Sequence, residues 1–209
     1  MSENNYYTTV EREASAEFEE RRSVFIGYAK PVKTAEEAME FVKQKKREHM
    51  DATHNVFAYI LEDGRIAKYS DDGEPQGTAG MPVLDTIRKN NVDGVCVVVT
   101  RYFGGILLGA GGLVRAYSHA AKLALDAANI ITYEKYGVFS LVCGYSDYQK
   151  YLPLLTSLGA VIDDTVFEAD VKISFAVKNN TCDELIFKIS EMSYGKCIPT
   201  KEGERFDYR

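Results

Sequence analysis

The chain has 209 residues, 45% of them hydrophobic and 27% charged, an ordinary globular composition with length enough for two compact domains. Its net charge of −6 argues against bulk attraction to duplex DNA, which depends on many lysine and arginine contacts. No stretch reaches the roughly 18 apolar residues of a membrane span, and the first residues show neither a basic lead nor an apolar run, so a cytoplasmic protein is expected.

In chain order, SVFIGYAK at 23–30 is rich in strand formers, and after Pro31 the segment from Thr34 to Met50 reads as a helix. Thr34 and Glu37 have the spacing of a capping box at its start. Its run KQKKREH (43–49) fits an exposed helix end, where cations suit the dipole, and could add to a nucleic-acid patch. NVFAYILEDGRIAKYS then reads as two strands joined at Asp63-Gly64. SDDGEPQGTAG (70–80) is loop by composition, and MPVLDTIRKNN is a helix with Pro82 in its first turn. GVCVVVTR is a continuous apolar strand of the kind covered on both faces. It leads into a glycine-rich loop and a long helix over GLVRAYSHAAKLALDAAN.

A second unit begins near Tyr136, giving domains at 1–135 and 136–209. YGVFSLVCGY is a strand, SDYQKYLPLLTSLG a helix capped by Ser146 or Asp147, and AVIDDTVF a strand. ADVKISFAV reads as an exposed strand, NTCDELIFKISEM as a helix and GKCIPT as the last strand. That order is β-α-β-β-α-β, the ferredoxin-like arrangement. The overall class is α+β. The second unit holds 8 basic and 11 acidic side chains against 17 and 20 in the first, so each carries −3 and any nucleic-acid surface must be a local patch.

Five of the twelve residues from Arg101 to Gly112 are glycine. Walker-type phosphate loops need a lysine that is absent here, and the dinucleotide fingerprint through Gly109 and Gly111 fails at Val114. What remains is a strand, a glycine turn and a helix N-terminus, where unpaired amides and the dipole favour an anion. Arg101, Arg115 and Lys122 are expected along one side of this loop. The alternative is that small residues let the helix pack tightly while the cations stay solvated.

Asp71, Asp72 and Glu74 form an oxygen set that Mg²⁺ would accept, or are turn formers beside Gly73 and Pro75. His54 is a conceivable general base, but reads better as a hydrogen-bonded structural histidine. Cys96, Cys143, Cys182 and Cys197 lack the paired spacing of a zinc site and read as structural residues. No catalytic residue and no resident cofactor are assigned.

The segments ATHNVFAYIL, SDDGEPQGTAGMP and VVVTRYFGGILLGAGGLVRAYSHAA resemble the IMPACT family, in its bacterial two-domain branch, and the resemblance covers nearly the whole chain. It implies an N-terminal domain like the second domain of small-subunit ribosomal protein five and a C-terminal domain like the last domain of elongation factor G. It also implies a tie to translation control and nucleic-acid binding. The matching positions are His54, Asp71, Asp72, Gly73, Glu74, Gly77, Thr78, Gly80, Arg101, Tyr102, Phe103, Gly104, Gly105, Gly109, Gly112 and Arg115. They suggest one site where the acidic loop meets the glycine loop. There the backbone would approach a phosphate, Arg101 and Arg115 would supply charge, and Tyr102 and Phe103 would stack on bases.

Three functions are therefore expected in competition. The first is a translation-associated protein that binds RNA or the ribosome. The second is a phosphotransferase or hydrolase using the same loop with residues 71–74. The third is a protein-interaction module for a partner in translation control. No membrane partner is expected.

Overall fold

A computed structural model describes residues 5–208. The first four residues of the expected domain 1–135 and the last residue of 136–209 lie outside them. The described chain divides between Thr132 and Tyr133 into two units, with Asn5 and Tyr6 counted in the second. Both units are mixed α/β, built on antiparallel sheet.

The first unit takes its elements in the order β1 (Tyr6–Val10), β2 (Ala14–Glu20), β3 (Ser23–Pro31), α1 (Ala35–Glu48), β4 (His54–Leu61), β5 (Ile66–Ser70), α2 (Gly80–Lys89), β6 (Val95–Tyr102) and α3 (Gly109–Ala127). The sequence reading had no strand before residue 23. In β2 the alternation of glutamate with small and aromatic residues leaves the strand half exposed, so it carries little apolar signal.

Strands β2 to β6 form one sheet in the order β2-β3-β6-β4-β5. Central β6 is buried along seven of its eight residues, which accounts for its unbroken apolar run. Its side chains alternate between two cores. Val95, Val97 and Val99 pack with Val83, Ile87, Leu113, Tyr117 and Leu125 of α2 and α3. Cys96 and Val98 pack with Phe41 and Val42 of α1 on the opposite face. Helix α1 is capped by Thr34, whose hydroxyl accepts from the Glu37 amide at 3.2 Å, while the Glu37 carboxylate takes the Lys33 amide at 2.8 Å. The Asp63-Gly64 turn joins β4 to β5 as expected, its two amides received by the Asp93 carboxylate.

Helix α3 approaches the sheet closely because Ala120, Ala121 and Ala124 are its buried contacts. Opposite them stands Gly27, where an added Cβ would fall 2.4 Å from the Ala120 carbonyl oxygen.

The second unit follows as β7 (Ile130–Cys143), α4 (Tyr145–Ser157), β8 (Val161–Phe167), β9 (Val171–Lys178), α5 (Cys182–Met192) and β10 (Thr200–Asp207). Tyr136, at the expected domain start, lies inside β7, in register with Lys178 on one side and Arg205 on the other. The strand order β10-β7-β9-β8, antiparallel throughout, is that of a split βαβ pair.

Three local expectations need correction. ADVKISFAV is not an exposed strand, because β9 lies between β7 and β8 with Ile173, Phe175 and Val177 fully buried. The last strand is β10 at Thr200–Asp207 rather than GKCIPT. Helix α4 begins after Gly144, so Ser146 and Asp147 lie within it and do not cap it. All four cysteines are free; burial pushes the Cys143 thiol up to about 11. No helix among the described residues is long and apolar enough to cross a membrane.

Replacing Gly27 by Val drives a branched side chain into the α3 backbone. A loss of about 1–3 kcal/mol, the usual cost of overpacking, is expected in chemical denaturation. An unchanged midpoint would mean that α3 does not pack this closely.

Candidate anion-binding site

Strand alternation decides what the arginine and tyrosine at the end of β6 can reach. Arg101 shares the face of Val97 and Val99 and points toward α3; Tyr102 points toward α1. Arg101 is 5% exposed. Its neighbours across the sheet are Phe25 on β3 and His54 on β4, and its guanidinium lies 5.5 Å from the Phe25 ring centroid and 5.4 Å from that of Phe103. Nη1 donates to Glu74 Oε1 at 2.6 Å. The Tyr117 hydroxyl of α3 donates to the same oxygen at 2.7 Å. Burial, and then the Glu74 charge, hold the Tyr117 phenol protonated well above its ordinary range.

Glu74 is therefore a buried counter-charge, delivered by the loop between β5 and α2. The other two carboxylates shape that loop. Asp71 Oδ1 accepts from the amides of Ala79 (3.1 Å) and Gly80 (2.8 Å), and Oδ2 from Gly77 (2.9 Å), tying the loop to the start of α2. Asp72 accepts from the Asn55 amide at 2.7 Å and pairs with Lys46 of α1. The Thr78 hydroxyl donates to the Pro75 carbonyl. Gly80 packs against the end of β5, and Gly73 against the His54 ring. Among the described residues no group of three or more His, Cys, Asp or Glu gathers as a metal site.

His54 is hydrogen-bonded as expected. Its Nδ1 faces the Asp72 carbonyl at 2.8 Å; a carbonyl only accepts, so Nδ1 carries the proton. The other nitrogen, Nε2, lies 3.8 Å from Glu74 Oε1.

Tyr102 is occupied on the other face. Its hydroxyl donates to Asp51 (3.2 Å) and meets His49 Nδ1 at 2.8 Å, while His49 Nε2 meets the Tyr28 hydroxyl at 2.6 Å. The basic run beside it is also engaged: Lys45 is buried against the rings of Tyr28 and Phe41 and pairs with Glu13 and Glu48, Lys46 pairs with Asp72, and Arg47 with Glu40. Lys43 and Arg47 of this run stay exposed.

The glycine segment divides into a loop and a helical turn. Gly104 answers the need for close approach, though to this chain itself: an added Cβ would lie 2.0 Å from the Arg22 carbonyl, and its amide donates to the Ser23 hydroxyl. Gly105 takes φ +83° in open space, where any side chain would be strained. Gly109 to Gly112 form the first turn of α3, which has no side-chain cap and no acidic residue. Arg115 folds back toward that turn, its Nη1 3.8 Å from where a Cβ on Gly111 would stand. Lys122 pairs instead with Asp126. The three cations expected together thus have separate fates, and only Arg115 serves the loop as an exposed charge.

Two hollows flank this turn. One, of about 380 Å³, is lined by His54, Glu74 and Arg101 together with Pro75, Phe103, Leu107, Leu108, Leu113 and the turn residues Gly109 and Ala110. The other, of about 240 Å³, holds Arg21, Arg115 and His119 around Leu108 and Gly112, with Glu20 at its edge. Neither Arg21 nor His119 is among the site residues expected from the sequence, although His119 falls with Arg115, Ser118, Lys122 and Asp126 on one polar stripe of the long helix. Arg21 sits in the turn between β2 and β3, which only the paired strands reveal, whereas His119 lies one turn beyond Arg115 on the polar stripe of α3.

The family described as "Impact N-terminal domain" matches residues 21–125, and that described as "Domain of unknown function (DUF1949)" matches residues 141–196. The protein described as "IMPACT family member YvyE", from Bacillus subtilis (strain 168), is 34% identical over 95% of this chain and 91% of its own. The chain belongs to the IMPACT family. A second relative, "IMPACT family member YigZ" of Escherichia coli (strain K12), is 33% identical over 84% of this chain and 87% of its own. A solved structure described as "Crystal structure of an hypothetical protein" aligns with a TM-score of 0.60 at 29% identity, covering 96% of this chain and 98% of that one. The IMPACT match at 21–125 encloses the larger hollow and takes in Arg21, Arg115 and His119 of the smaller one.

The two arginines should separate in stability measurements. Arg101→Ala strands the Glu74 carboxylate in the core, and a loss of about 3–5 kcal/mol is expected, as for other broken buried pairs. Arg115→Ala removes an exposed side chain and should stay within about 0.5 kcal/mol of the parent. Equal, small effects in urea denaturation would contradict the buried pair.

Proposed function

We propose that this protein acts in translation as an RNA- or ribosome-binding factor of the cytoplasm, gripping a phosphate of the RNA backbone at the first turn of α3. The observation that carries the reading is the uncapped Gly109–Gly112 turn with the Arg115 guanidinium folded against it. Helix N-terminal amides and the dipole attract an anion, and a glycine-rich turn leaves room for it. Arg21 in the adjoining hollow provides a second cation for the next phosphate along a strand. Phe103, 44% exposed, supplies an aromatic face beside them.

Membership of the IMPACT family supports the tie to translation control. The same reading takes domains 1–135 and 136–209 as separate folding units, akin to the second domain of small-subunit ribosomal protein five and the last domain of elongation factor G. The βαββαβ order of the C-terminal unit supports the second likeness. The phosphotransferase alternative is not adopted, because Asp71 and Asp72 are committed to backbone amides and Lys46.

Arg115→Ala and Arg21→Ala should each weaken binding of a single-stranded RNA to the full chain, and each should lower the slope of affinity against salt by about one. Fluorescence anisotropy at several salt concentrations reads both quantities. Two folded variants with the parent's affinity and slope would overturn the proposal.

A further inference from the structure

The larger hollow holds polar groups that the phosphate reading leaves unused. Only one edge of the Arg101 guanidinium is occupied: Nη1 serves Glu74. On the other edge Nε is buried without an acceptor, and Nη2 makes no hydrogen bond among the described residues. The Nε and Nη2 pair is a forked donor that takes two neighbouring acceptors at once. Glu74 shows the complementary vacancy. Its Oε1 receives both Arg101 and Tyr117, while its Oε2 receives no hydrogen bond among the described residues. His54, with Nδ1 donating to the Asp72 carbonyl, leaves Nε2 as its free ring nitrogen, an acceptor whenever it carries no proton. Arg101 with this unused edge, Glu74 and His54 all line one hollow of about 380 Å³, walled by Pro75, Phe103, Leu107, Leu108 and Leu113. That volume is at the small end of ligand sites, which commonly join apolar walls to a few convergent polar groups.

We propose that this hollow is a guanine site, holding the base of a guanosine 5′-phosphate whose phosphate rests on the first turn of α3. The inference rests on the reading of that turn as an anion site. Guanine presents two adjacent acceptors, O6 and N7, which an arginine fork receives. Along its next edge it carries the donors N1–H and N2–H₂, which suit Glu74 Oε2 and His54 Nε2. Adenine places a donor where O6 would be and an acceptor at N1, so it meets Arg101 with a donor and Glu74 with a lone pair. Phe103 gives the base a stacking face, and the turn residues Gly109 and Ala110 line the same hollow. The nucleotide could be free or the 5′-phosphorylated end of an RNA, the two sharing this chemistry.

Isothermal titration calorimetry of the full chain with GMP, IMP, AMP and guanosine tests the pairing without any variant. GMP should bind at least tenfold more tightly than AMP. IMP, which lacks N2–H₂, should fall between them, and guanosine, lacking the phosphate, should bind at least tenfold more weakly than GMP. Short RNAs beginning with a 5′-phosphorylated G or A distinguish an RNA end from the free nucleotide: preference for the G-ended RNA over GMP assigns the end, and equal affinity assigns the nucleotide. Ala110→Glu then locates the site. Residue 110 is exposed, and an acidic residue in a first helical turn suits the helix, so the variant should fold while losing GMP. Equal affinity for GMP and AMP, or GMP binding unchanged in folded Ala110→Glu, would overturn the inference. If no nucleotide binds while RNA affinity still depends on Arg115, the guanine site falls and the RNA reading stands.

Discussion

The carboxylate of Glu74, buried in a protein interior, cannot stand without a partner, and the N-terminal unit is organised around meeting that requirement. An isolated carboxylate in such a place would cost several kcal/mol. Arg101 from β6 and Tyr117 from α3 both donate to its Oε1, so one oxygen joins the acidic loop, the central strand and the long helix. Asp71 fixes the same loop from its other end by receiving three amides of residues 77–80. The hollow beside α3 keeps its shape because these charges and amides satisfy one another, and a substitution among them is felt across all three elements.

A consequence is a division of labour between cations that look alike in the sequence. Arg101 neutralises Glu74 and is flanked by two aromatic rings, which costs it free contact with solvent but fixes its plane. Arg115 and Arg21 are exposed on either side of Leu108 and are held by no ion pair among the described residues. The first is held in place by its neighbours, and the other two remain exposed charges. On the far face of the sheet, Tyr28, His49, Tyr102 and Asp51 form a separate hydrogen-bonded chain that secures the C-terminal end of α1.

Much of this was legible in the residues. The apolar run of β6, the Asp63-Gly64 turn, Pro82 in the first turn of α2 and the βαββαβ order all follow from local pattern. The meeting of the 71–74 loop with the glycine loop at one hollow came from the family motifs rather than from spacing. What stayed hidden was partner choice. Alternation along β6 puts Arg101 and Tyr102 on opposite faces, but nothing local says that Glu74, 27 residues earlier, folds back to the arginine. Gly104 looked like room for a ligand, yet the atoms it admits are those of Arg22 and Ser23. The strand positions of β9 and β10 were missed because sheet order decides which strand is interior, and the short apolar run at GKCIPT outweighed the charged residues that actually pair with β7.

The fixed guanidinium edge of Arg101 is the point on which structure and ligand reading meet, and arginine Nε resonances observe it directly. In ¹⁵N spectra of the full chain, the Arg101 Nε–H should shift and exchange more slowly with water as GMP is added, while those of Arg47 and Arg88 on other surfaces stay still. An Arg101 Nε–H signal that does not move at saturating nucleotide, with the amides of Gly109 to Gly112 equally unmoved, would contradict the placement of a ligand between Glu74 and the first turn of α3.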